Sequence, residues 1–251
     1  MKNLMVFLAT LLLFGATTAE ANPPYPQSTV VTGIDFDWGT HRREAIGSDN
    51  WATTWTSDGE QLALFGDGGG FGGSNSLGRV SLGLARIVGD KDNYTGQNIW
   101  GGLNAANPAQ FDGKSYGLIQ VDGDLYMSWG PGSGTTSYNE TRMAKSSDMG
   151  ATWNLTSWDF TTVDSRLIMP TICNFGKNYE GARDNYVYVY FIRKQGSPSS
   201  LTIMSPGQID LARVHRSQVM TLSAYEYFSG MSNGQPTWTS NALLRQAVFS
   251  D

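Results

Sequence analysis

Three times along the chain the sequence repeats a unit that cannot bury itself alone. Each unit opens with an apolar strand, turns on Asp or Asn, and returns as a second strand: 52–66 around Asp58-Gly59, 116–130 around Asp122-Gly123, and 174–193 around Asp184-Asn185. The turn positions lie 64 and 62 residues apart. A third strand follows each hairpin, at Leu84–Ile87, Met143–Ser146 and Leu211–Val214. An aromatic fourth comes near Trp100, between Trp153 and Phe160, and between Tyr225 and Trp238. A four-stranded meander recurring about every 60 residues is what a β-propeller blade requires, because one twisted sheet covers its faces only against neighbouring blades. The expected class is therefore all-β, a β-propeller. A β-sandwich is the competing reading, since sandwiches also yield many short strands with regular turns.

The octet Ser146-Ser147-Asp148-Met149-Gly150-Ala151-Thr152-Trp153 supports blades. It matches the S-x-D-x-G-x-T-W Asp-box of sialidase-like propellers, in which Asp and Gly shape a tight turn between the third and fourth strands with the Trp beneath it. That role is structural, so Asp148 is not a candidate catalyst. Closing a ring takes at least four blades. Three units and a short arm use nearly the whole sequence, so three to four blades are expected here, with Ala247–Asp251 entering a further one and the propeller domain, 22–251, belonging to a longer product.

Met1-Lys2-Asn3 places one positive charge before the apolar run Leu4–Phe14, and Ala19-Glu20-Ala21 has the small-x-small form cut by leader peptidases. Residues 1–21 are expected to be a signal peptide, placing the mature protein in the periplasm or outside the cell, without a membrane association after cleavage. Thirty glycines, 12% aromatic residues and only 16% charged residues fit a turn-rich sheet protein. Cys173, the single cysteine, has no disulfide partner and is expected to pack in the apolar run Leu167–Phe175. A formal charge of −5 argues against nucleic acid as the partner, and a neutral polysaccharide or oligosaccharide fits better. No His/Cys/carboxylate cluster has metal-ligand spacing, and no cofactor is expected.

Chemistry is best sought in the first unit. If Ser57-Asp58-Gly59 is a three-residue turn, paired positions sum to 116 and Asp49 faces Asp67 at the open end of the hairpin. Two carboxylates so placed divide into an acid and a base, which is what glycoside hydrolysis needs. The glycine run 66–73 would let backbone and ligand approach closely. Spacing alone leaves a second reading open, in which Asp49 caps a turn and Asp67 begins a solvated loop; a two-residue turn would also put the pair on opposite faces.

The segments Ser48-Asp49-Asn50-Trp51, Ala63–Gly68, Ser81–Ile87, Val121–Met127 and above all Asn174–Tyr190 resemble a bacterial domain family, long without an assigned function, that includes endo-D-arabinanases. The resemblance runs from about Asp35 to Asp251. It implies a five-bladed propeller glycoside hydrolase whose catalytic carboxylates match Asp49 and Asp67; the family's C-terminal portion has no counterpart in this sequence. Substrate-binding candidates are Trp51, Lys114, Lys177, Asn178 and Arg183, polar or aromatic groups on loops and strand ends. Trp129 could stack a sugar or fill the core. Two other functions remain: a polysaccharide lyase, for which Tyr179 would be the base and Arg183 the substrate clamp, and a non-catalytic glycan-binding propeller.

Overall fold

The computed structural model describes residues 28–132, 140–160, 165–194 and 207–250, so the expected signal peptide lies outside the described residues. The chain divides into two compact units at Arg42/Arg43. In the described part of the first, the 3-10 turn Trp38–Thr40 is capped by the Asp37 carboxylate, which accepts from the Gly39 amide. All strands belong to the second unit.

Fourteen strands are described: β1 (Thr53–Trp55), β2 (Gln61–Phe65), β3 (Gly83–Gly89), β4 (Tyr94–Trp100), β5 (Lys114–Val121), β6 (Asp124–Gly130), β7 (Arg142–Ser146), β8 (Asn154–Leu155), β9 (Leu167–Ile172), β10 (Tyr186–Arg193), β11 (Gln208–His215), β12 (Glu226–Ser232), β13 (Gln235–Thr239) and β14 (Ala247–Ser250). Between them the described residues hold only short 3-10 turns, and none of their helices is long and apolar enough to cross a membrane. The sheets are the antiparallel meanders β1-β2-β3-β4 and β5-β6-β7-β8, and a third in the order β13-β12-β11-β10-β9 with β14 also paired to β11. The protein is all-β, of the propeller-blade type, with three blades described.

Strand alternation assigns each blade face to a neighbour. In the second blade Leu118, Leu125, Met127, Trp129 and Ala144 face the first, where they meet Leu62, Leu64, Leu84 and Trp100. The adjacent residues Ile119, Tyr126 and Met143 point the other way and meet Leu167, Ile172, Val187, Val189 and Phe191 of the third. Two buried cores therefore flank one sheet. Trp129, 3% exposed, fills the first of them and offers no face to a sugar.

Polar contacts hold the innermost strands β1, β5 and β9 side by side in one direction. The Gln120 amide donates to Thr54 Oγ1 at 2.9 Å, and Ser115 Oγ donates to the Asn50 carbonyl at 3.0 Å. Asn178 Oδ1 accepts from the Gly123 amide at 2.9 Å, and Ile172 packs against Gly117. The Asp58-Gly59 and Asp122-Gly123 turns consequently share one end of the blades. In the second turn Asp122 and Gly123 both have positive φ, 53° and 88°, as a tight hairpin turn of matching twist demands.

The third unit departs from the sequence reading. Its first strand is Leu167–Ile172, and 173–185 is a loop carrying the 3-10 turn Lys177–Tyr179, so Asp184-Asn185 is not a hairpin turn. Gly176, Asn178 and Tyr179 all have positive φ and cannot continue a strand. Asp184 instead starts β10, accepting from the Tyr186 amide at 2.9 Å and the Tyr188 hydroxyl at 2.6 Å. Cys173 is only half-buried and lines an aromatic cavity with Tyr188 and Trp238; burial pushes its thiol up.

Candidate functional site

The register of the first hairpin sums to 116 at Thr53–Ala63, Thr54–Leu62 and Trp55–Gln61, as its turn requires. It does not hold to the open end. Asp49 and Gly66 exchange both backbone hydrogen bonds at 2.8 Å, so Asp49 opposes Gly66 and not Asp67. The cause is a β-bulge: between this pair and Ala52–Leu64, the residues Asn50 and Trp51 stand opposite Phe65 alone. Asn50 absorbs the extra residue at φ 58°, a conformation that Asn tolerates better than most residues.

The two residues stay close in backbone position, one strand position out of register. About 5.5 Å across a hydrogen-bonded pair and 3.8 Å along the chain put the Asp49 and Asp67 Cα atoms roughly 7 Å apart. Their surroundings differ. Asp67, itself at φ 51°, is ion-paired to Lys114 from the second blade and to Arg79 at 3.4 Å, while its carbonyl accepts from Arg79 Nη1. The Lys114 side chain is 13% exposed. Asp49 is exposed, and its carboxylate has no ion pair or hydrogen bond among the described residues.

The glycines after Asp67 serve close packing of the loop on itself. A Cβ on Gly68 would lie 2.4 Å from the Gly47 carbonyl oxygen, and one on Gly69 would lie 2.0 Å from that of Leu77. The loop is pinned from β4 by Asn98, 6% exposed. Its Oδ1 accepts from the Phe71 amide at 2.9 Å, and its Nδ2 donates to the Gly69 and Phe71 carbonyls. Ser48 Oγ accepts from the Gly70 amide at 2.9 Å. Asn98 carries no sequence signal, since an Asn within a strand-forming run is unremarkable until its loop folds over it.

Trp51 leans on Phe65 and Phe71, with ring centroids 5.5 and 5.8 Å away, and keeps 36% of its surface exposed. It lines a cavity of about 440 Å³ with Trp55, Phe71, Ile87 and Tyr94, on the face of the first blade turned away from the second. Lys177, Asn178 and Arg183 are not brought to the carboxylates. Asn178 bonds the Asp122-Gly123 turn and Lys177 Nζ lies 3.7 Å from the Cβ position of Gly59, at the opposite end of the inner strands. Arg183 borders the cavity around Tyr188 and Trp238. Among the described residues no group of three His, Cys, Asp or Glu is placed to hold a metal ion.

No protein-family model matches the sequence, and no curated protein does. Solved structures similar to this chain include a GH43 β-1,3-galactosidase, with 12% identity, a TM-score of 0.41, and 76% of this chain matched to 45% of that one. An α-L-arabinofuranosidase from Lactobacillus brevis shows 10% identity and a TM-score of 0.41, with 75% and 55% covered. The GH32 β-fructofuranosidase of Bombyx mori shows 13% identity and a TM-score of 0.41, with 76% and 37% covered. The chain thus spans between 37% and 55% of the length of these three proteins.

Proposed function

We propose that the protein is an exported glycoside hydrolase that cleaves a polysaccharide, of the endo-D-arabinanase type its sequence resembles, with Asp49 and Asp67 as its two carboxylates. The observation that supports this reading is the Asp49–Gly66 backbone pair, which brings the backbone of Asp49 within one residue of Asp67 at the open end of the hairpin, with Asp67 ion-paired to Lys114. Asp67, engaged by Lys114 and Arg79, is the carboxylate that activates water or attacks the anomeric carbon. Asp49, which has no ion pair among the described residues, is the group that donates a proton to the glycosidic oxygen. Trp51, half-exposed on the same hairpin, offers an aromatic face for a sugar ring in the cavity it lines with Trp55 and Phe71.

A lyase would need Tyr179 as base. Its ring is fully buried, its hydroxyl donates to the Tyr186 carbonyl at 2.8 Å, and burial raises its pKa, all of which oppose that role.

The test is release of reducing ends from arabinans and other neutral polysaccharides by the protein, with Asp49→Asn and Asp67→Asn beside it. Each variant should keep its melting temperature and lose about two to four orders of magnitude in kcat/KM. Full activity in both variants sinks the assignment, and unsaturated sugar products would point to the lyase.

A further inference from the structure

We propose that a second site, a cleft lined by Arg166, Arg193 and Arg245, binds an oxyanion: a phosphate, sulfate or carboxylate group carried by a small molecule or a glycan. The cleft, open to solvent and bordered also by Leu243, has a volume of about 360 Å³, room for a sugar-sized ligand.

Among the described residues its charge is not balanced. Arg193 grips the Asp210 carboxylate through both Nε, at 2.9 Å, and Nη2, and Arg245 Nε reaches the same carboxylate at 2.8 Å. Asp210 is wholly buried and supplies one negative charge against two positive ones. Arg245 is fixed further by donating to the Ala242 and Ser165 carbonyls, and only 6% of its side chain is exposed. Arg166 is exposed, and its guanidinium has no hydrogen bond or ion pair among the described residues. Among the described residues, three cations and one carboxylate leave an excess of two positive charges. Each guanidinium has five donors, so Arg193 and Arg166 keep paired N–H groups free for the bidentate geometry that oxyanions accept.

Two features make this a prepared site and not a surface scatter of charge. The buried Asp210 holds two arginines in one geometry before any ligand arrives, so little side-chain entropy remains to be lost on binding. Arg166 occupies φ 55°, a conformation unusual for its residue type, immediately before β9. Since β9 runs alongside β5 in the same direction, the cleft opens at the strand end that also carries Lys114 and Asp67. The proposal does not depend on the reading of Asp49 and Asp67, because binding is measured directly.

The experiment is calorimetric titration of the full chain with inorganic phosphate, sulfate and glucuronate, against chloride at matched ionic strength. Saturable binding of at least one oxyanion is expected, and which of the three binds separates tetrahedral anions from carboxylates. Arg166→Gln should weaken it at least tenfold without moving the melting temperature, and Arg166→Lys should fall between. Lys91→Gln, which removes a solvated charge paired only to Asp92, should leave it unchanged. Oxyanions indistinguishable from chloride, unaltered affinity in Arg166→Gln, or equal weakening by Lys91→Gln would each overturn the site.

Discussion

Asp148 shows how much one side chain can hold in place. Its carboxylate accepts from the Thr152 hydroxyl at 2.6 Å, the Thr152 amide at 2.8 Å and the Ser146 hydroxyl at 2.7 Å. These bonds favour the ionised form and lower its pKa to about 2. The folded value lies below the unfolded one, so the stabilisation is complete above about pH 4 and is lost as pH falls through about 2. Asp148→Asn should therefore melt below the wild type at pH 5 to 7, and the gap should narrow between pH 4 and 2. Melting curves across that range check it; a gap independent of pH would mean the bonds do not depend on charge. The Asp148 bonds all run to residues within four positions, so they could be read from the octet alone, whereas the contacts of Ser147 with Asp124 and of Gly150 with Trp100 could not. Asp49 was less legible. The turn predicted Asp49 opposite Asp67, but Asn50 in a left-handed conformation shifts the register by one and sets Asp49 opposite Gly66, and only the residue type hinted at that. The partners of Asp67 were beyond reach, since Lys114 comes from another blade and no local pattern pairs positions 47 residues apart.

At the scale of elements, turns were read correctly where they are short and wrongly where side chains replace a turn. Asp58-Gly59 and Asp122-Gly123 each close a hairpin through two or three residues whose backbone angles their own chemistry selects. The loop 173–185 is organised instead by the buried Tyr179, whose hydroxyl reaches Tyr186, and by Asp184, contacts that an alternating strand pattern does not foretell. The glycine loop after Asp67 follows the same rule, its shape held by Asn98 from a strand 27 residues away. Replacing Asn98 by Ala leaves the part-buried Phe71 amide and carbonyl without this partner, while the Gly69 carbonyl keeps the Leu103 amide. The expected loss is about 2–3 kcal/mol of stability, together with faster hydrogen exchange at the Phe71 amide. Urea unfolding and exchange measured by mass spectrometry test both, and unchanged protection at Phe71 would remove Asn98 from this role.

Across the whole molecule, the period of about 60 residues foretold blades because stacking sheets is a nearest-neighbour problem. What it could not foretell was how far the interfaces are independent. Leu84 of the first blade and Ile119 of the second are both fully buried, yet they belong to different cores on opposite faces of the second sheet. Leu84→Ala should cost about 2–5 kcal/mol and Ile119→Val about 0.5–1.5. If the second sheet is a rigid partition, the double variant should lose the sum of the two to within about 0.5 kcal/mol. A coupling above about 1 kcal/mol would show that strain crosses the sheet. That path matters for the candidate site, because β5 contributes Ile119 to one core and Leu118 to the other, and it begins at Lys114, the residue that holds Asp67. A sheet that transmitted strain would let a change in the third blade reach the carboxylates of the first, whereas an independent one leaves Lys114 anchored whatever happens beyond it.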